Sequence, residues 1–222
     1  MKRLPHLDDA WATTASGARL EAVLRAAPRL ADALRSSGHP RRVRTFDVAS
    51  FPYPTEFAFA GVCGVPVPYV WLENRALFVE YVDFEGATKR LLVNPSDAEA
   101  NKKAPFFRSL FERVPRSLEG TFEKMMSRRA APVEQQLAEA EIDPASIDFL
   151  TFDHLHVQDI RALLPSPYAR AKLLVTPTEL ASTRALHPLQ RFWYVDGGLD
   201  GIAADRFAPF DGDVLLLSLI HI

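Results

Sequence analysis

The sequence predicts an α/β protein, an α+β sandwich of sheet and helix layers with a helical segment at its start. Three observations carry that expectation. Apolar residues form a helical stripe from Leu20 to Leu34. From Val43 to Val93 the pattern changes to short runs rich in Val, Phe, Tyr and Trp. After Ala140 strand-like and helix-like stretches alternate. At 222 residues, 48% hydrophobic and 24% charged, the chain is long enough for a substantial core and has the composition of an ordinary globular protein.

Taken in order, Leu20, Val23, Leu24, Leu30, Ala31 and Leu34 share one helical face. Pro28 interrupts this face and predicts a second short helix beginning there. Ser37-Gly38-His39-Pro40 supplies the stop, so residues 1–42 read as an N-terminal helical segment. The runs Val43–Val48, Val67–Leu72, Ala76–Val82 and Lys89–Val93 then predict a β-meander. Pro52-Tyr53-Pro54, Glu73-Asn74 and Glu85-Gly86 are its expected turns, and Leu91-Leu92-Val93 its inner strand.

From Asp97 to Ala140 the chain reads as helical. Phe106, Phe107, Leu110 and Phe111 make one apolar face, and Phe122, Met125 and Met126 another. Lys102-Lys103 and Arg128-Arg129 read as solvated charge. Beyond Ala140 the expected order is a buried strand at 147–152, a helix at 160–164, a strand at 171–175 and a helix at 177–186.

Composition excludes several function classes. A net charge of −2 gives no electrostatic reason to bind nucleic acid or an anionic membrane. No apolar run is long enough to span a bilayer, and Pro5, His6, Asp8 and Asp9 interrupt any leader peptide. The expected location is cytoplasmic. The single cysteine, Cys63, permits neither an internal disulfide nor a multi-cysteine zinc site. Arginine supplies 20 of the 26 basic residues, a bias that fits a GC-rich bacterial genome.

One motif carries chemistry. Residues 151–160 read Thr-Phe-Asp-His-Leu-His-Val-Gln-Asp-Ile, directly after the buried strand. On an extended segment His154 and His156 point to the same side, because side chains alternate with period two. With a carboxylate nearby they make three ligands of a zinc-type site. Loops at the carboxyl ends of strands are also where α/β proteins build sites. The plainer alternative is that one histidine caps a helix or satisfies a core hydrogen bond.

The stretch Ile142-Asp-Pro144-Ala-Ser-Ile147-Asp-Phe-Leu150-Thr-Phe-Asp-His154-Leu-His156 resembles the lead into the signature of metallo-β-lactamase-fold hydrolases. That signature is His-x-His-x-Asp-His. Arg90–Pro95, Ala171–Val175 with Glu179-Leu180, and Asp211-Gly-Asp213 resemble flanking segments of the family, in the family's order. The resemblance covers roughly residues 43–216 and implies a partial αββα fold over that range. It also implies a divalent metal, zinc by preference, held by His154, His156 and Asp159, with Asp153 and Gln158 supporting the ligands.

The departures are specific. Gln158 stands where the family has an aspartate, Asp159 where it has a histidine, and Asn94-Pro95-Ser96 where it has Asp-Thr-Gly. No later histidine suits the remaining ligand positions: His187 reads as a loop residue. Leu217–Ile222 resembles the translation of a transposon-end sequencing adapter, and residues 217–222 are expected to be a non-native tail. Two functions follow. One is a piece of a metal-dependent hydrolase acting on an ester, a lactone or a related bond of a small molecule, inactive as it stands. The other is a metal-free binding or structural descendant of the same scaffold.

Overall fold

Two long strands set the frame. In the computed structural model, which describes residues 1–59, 67–112, 121, 127–188 and 190–216 and omits the side chains of 57, 98, 110 and 111, β2 (Arg42–Pro54) pairs antiparallel with β3 (Tyr69–Val82). β-Branched and aromatic residues make up about half of each, as a pleated, half-buried surface favours. The register runs from Arg42 opposite Glu80 to Pro54 opposite Tyr69, with a bulge between Asp47 and Ala49.

This corrects two expected turns. Glu73 and Asn74 lie inside β3, opposite Ser50 and Ala49, and Pro52 and Pro54 lie inside β2. The prolines fit because, among the described residues, this end of β2 has on its other side the two-residue strand β5 (Arg128–Arg129), which pairs at Ala49 and Ser50 and leaves Pro52 and Pro54 unpaired on that side. The Glu85-Gly86 turn forms as expected. Asp83 accepts the N–H groups of Glu85 and Ala87 at 2.9 Å each, and Gly86 takes φ +81°.

β4 (Thr88–Val93) returns antiparallel to β3, and three parallel strands follow it: β6 (Phe149–Thr151), β7 (Lys172–Val175) and β8 (Phe207–Pro209). The order across this mixed sheet is β5-β2-β3-β4-β6-β7-β8. The switch from antiparallel to parallel requires a crossover after β4. α4 (Ala98–Asn101), α5 (Pro105–Phe111) and α6 (Val133–Glu139) lie along it, and α7 (Pro177–Arg184) follows β7. The expected helix at 160–164 is a single 3-10 turn over Ile160–Ala162. Phe122, Met125, Met126, Cys63 and residues 217–222 lie outside the described residues.

One core gathers Phe46, Phe78, Leu92, Leu150 and Leu173 from the strands with Val133 and Leu137, one turn apart on α6, and with Ile160, Leu164 and Tyr168 from the segment between β6 and β7. Leu137 is fully buried, so truncating it to alanine would cost about 2–5 kcal/mol.

The N-terminal region differs from expectation in two ways. α2 (Ser16–Arg35) is one continuous helix with Pro28 inside it. Pro28 and Leu24 are exposed, so the carbonyl that loses its donor can face water. The region also contains a strand, β1 (Lys2–Leu4), paired antiparallel with β9 (Asp213–Leu215) in a separate two-stranded sheet. Among the described residues no helix is long and apolar enough to cross a membrane.

Candidate metal centre

The ends of β4, β6 and β7 lie side by side, and their loops build the candidate site. Asn94, just past β4, adopts φ +52°, and its side-chain oxygen accepts the Asp153 N–H at 3.0 Å. Its own N–H donates to the Thr151 carbonyl at 2.8 Å. The turn after β4 thus braces the loop after β6. Asp153 accepts the His154 N–H at 2.9 Å and lies 3.2 Å from His154 Nδ1.

Leu155 is the inward anchor between the two histidines, 3% exposed, and its N–H donates to Glu179 on α7 at 2.8 Å. Alternation then turns His154 and His156 the other way. Their ring centroids are 4.8 Å apart with the planes at 82°. His154 is half-exposed and His156 more enclosed. Tyr194 packs edge-on against His156 at 4.8 Å, Trp193 lies nearly parallel to it at 6.3 Å, and Phe106 stacks on Trp193 at 4.5 Å. The Tyr194 hydroxyl donates to Glu179 at 3.3 Å.

Electrostatics favour a neutral His156. Burial first, and the neighbouring His154 second, push its pKa below the ordinary histidine value, while Glu179 and Asp153 pull the other way. A neutral imidazole keeps the lone pair that a metal ligand needs. Burial also raises the Tyr194 phenol, with Glu179 adding to it, so that hydroxyl stays a donor.

The chain then turns sharply. Val157 takes φ +56°, and its N–H donates to the Trp193 carbonyl at 2.6 Å. Beneath it the backbone of Gly198 approaches so closely that a Cβ there would meet the Gln158 carbonyl at 3.0 Å. The Asn101 amide abuts the Gln158 side chain at 3.4 Å. Oriented so that its nitrogen meets acceptors, that amide donates to the carbonyls of Val157 at 2.7 Å and Asp97 at 3.0 Å.

Asp159 is 3% exposed and faces cations. Arg161 Nε lies 3.0 Å from one carboxylate oxygen; Arg161 Nη2, at 3.3 Å, and Lys103 Nζ, at 3.4 Å, meet the other. The carboxylate in turn holds the Arg161 guanidinium above its ordinary pKa. His187 lies in an exposed turn whose carbonyl accepts the N–H groups of Gln190 and Arg191.

The structure therefore brings His154, His156 and Asp153 together and gives Asp159 to Arg161 and Lys103. Among the described residues no three His, Cys, Asp or Glu side chains gather closely enough to hold an ion. Two imidazoles are fewer donors than a four-coordinate zinc needs, so these residues do not make a metal site by themselves. Sequence reasoning missed Lys103 and Asn101 as partners of the motif, and nothing local to those residues signals the contact. Arg161, two residues from Asp159, is a local sign of a cation beside that carboxylate.

No family model matches the sequence, and no curated protein matches it. Solved structures do. One titled a quorum-quenching N-acyl homoserine lactone hydrolase aligns at 12% identity with a TM-score of 0.53, over 82% of this chain and 62% of its own. A B. thuringiensis AiiA mutant with N-decanoyl-L-homoserine bound at its active site aligns at 13% identity with a TM-score of 0.52, over 81% of this chain and 63% of its own. The chain thus spans less than two thirds of the length of each. The likeness is one of fold: the chain has a large mixed sheet with helices, in a metallo-β-lactamase-like arrangement.

Proposed function

We propose that the chain carries the histidine-pair portion of a metal-dependent hydrolase, with His154 and His156 as two ligands of a divalent ion. The observation that supports this most is the His154–His156 pair itself: two imidazoles 4.8 Å apart at the carboxyl end of a central strand, one of them held neutral. Among the described residues no third His, Cys, Asp or Glu joins the pair closely enough to complete the set. When bound, such an ion, zinc by its donor chemistry, supplies water of lowered pKa and polarises the bond to be cleaved.

The chain's own residues do the rest. Asp153 orients His154, the Glu179–Tyr194 pair holds the ring of His156, and the Phe106–Trp193 stack walls off water on one side. The substrate class is a small molecule with an ester or lactone bond, as the homoserine-lactone chemistry of the matched structures suggests.

A second reading, a metal-free binding descendant, is favoured by one observation: Asp159 is consumed by internal cations. Elemental analysis and a zinc titration of the purified chain, with an ester and lactone panel, separate the two. The hydrolase reading expects up to one equivalent of zinc, lost in His154→Ala and in His156→Ala. A wild-type chain that takes up no zinc would leave the metal-free reading.

A further inference from the structure

We propose that Arg161 and Lys103 together take the place of a metal ion at Asp159, which is a positioning residue rather than a ligand. On this proposal the loop 154–161 takes its shape with no divalent cation at that position. A carboxylate only 3% exposed requires compensating charge, and here both of its oxygens have it. The forked guanidinium of Arg161 spans them at 3.0 and 3.3 Å, and the Lys103 ammonium adds a contact at 3.4 Å. Two positive charges already sit on one negative one, so an approaching divalent cation meets repulsion as well as an occupied lone-pair set.

The cations also link segments that are distant in sequence. Lys103 lies between α4 and α5, far from the motif in sequence. The same stretch sends Asn101 to the Val157 carbonyl and Phe106 onto Trp193. Arg161 Nη2 reaches on to the Asp196 carbonyl at 3.3 Å, and its N–H donates to the Gly198 carbonyl at 3.2 Å. Asp159 is therefore the junction of residues 101–106, 157–161 and 193–198. The inference stands whether or not the histidine pair binds an ion, so it is independent of the hydrolase reading.

The test uses the full 222-residue chain, stripped with chelator, and zinc chloride as the probe. Any shift that stripping produces in the wild-type melting temperature is expected to be equally large in Asp159→Asn, because the ion behind it does not touch Asp159. Asp159→Asn leaves Arg161 short of its countercharge and is expected to lower the melting temperature by about 5 °C. Its zinc affinity should stay within about threefold of wild type, and the absorption spectrum of a cobalt-loaded sample should be unchanged. The double variant Arg161→Gln with Lys103→Gln uncovers the carboxylate; zinc should bind it at least about tenfold more tightly than wild type, a gain that adding Asp159→Asn removes.

If Asp159→Asn does not fold, Lys103→Met, at a mostly exposed side chain, carries the same test. It is expected to lower the melting temperature slightly without weakening zinc binding. A wild type that takes up no zinc yet melts lower as Asp159→Asn would sink the hydrolase reading and support this one. Tenfold weaker zinc binding in Asp159→Asn, or wild-type melting that drops on stripping and recovers with zinc only when Asp159 is present, would overturn the inference.

Discussion

Val157 holds a conformation that its side chain disfavours. At φ +56° a β-branched residue lies in the left-handed region, at a cost of about 1–2 kcal/mol. The Trp193 carbonyl on its N–H and the Asn101 amide on its carbonyl keep it there. Asparagine tolerates that region, so Val157→Asn is expected to stabilise the chain by about 1 kcal/mol in urea unfolding. A loss of similar size would remove the strain argument. Tyr81 makes a second residue-scale case, through pH. Burial, reinforced by Asp148 and Asp83, pushes its phenol up to about 12. The unfolded phenol titrates near 10, so the stabilisation is complete below about pH 10 and is lost as pH rises towards 12. The loss amounts to about 2–3 kcal/mol. Tyr81→Phe should flatten that part of the profile; identical wild-type and variant slopes between pH 9 and 12 would refute the assignment.

At the scale of elements, α7 acts on the site from its first turn. Thr176 accepts the Glu179 N–H at 3.2 Å and so starts the helix, which places the Glu179 carboxylate against the Leu155 N–H and the Tyr194 hydroxyl. Glu179→Ala leaves both donors without that acceptor and is expected to cost about 2–3 kcal/mol. Glu179→Gln keeps an acceptor oxygen and should cost no more than about 1 kcal/mol. Equal losses in the two variants, read from urea midpoints, would mean that the contacts matter less than the packing around them. The crossover bearing α4 and α5 reaches the same loop from the opposite direction through Asn101, Lys103 and Phe106, so two elements that follow different strands converge on one turn.

For the whole molecule, the two sheets are separate structures with separate duties. The seven-stranded sheet positions the histidine pair, whereas β1 and β9 tie the N-terminal region to residues 213–215. Leu4 is the buried residue of β1, 6% exposed. Leu4→Asp places a charge in that contact and is expected to cost about 2–3 kcal/mol. The zinc isotherm should not change, because among the described residues β1 pairs with β9 and with no strand of the large sheet. A changed isotherm would show that the small sheet bears on the site. Exposed Leu20, Leu24 and Leu34 on α2, with Trp11 nearby in sequence, leave that region rich in uncovered apolar surface.

The sequence by itself determined the fold class, the inner position of β4 and the strand that precedes the motif, and it set His154 and His156 two residues apart just past that strand. All of these follow from local periodicity, which acts over a few residues and can be read along the chain. It misjudged Glu73-Asn74, Pro52 and Pro28 because turn and breaker residues are read by propensity, whereas edge position and exposure decided each case. The cations that surround Asp159 lay beyond it. Whether a carboxylate faces a metal or an ammonium group depends on which charge the fold brings within about 3–4 Å, and Lys103 arrives there from 56 residues away. Only the tertiary structure decides that, because electrostatic partnership is a matter of distance in space and the sequence records distance along the chain.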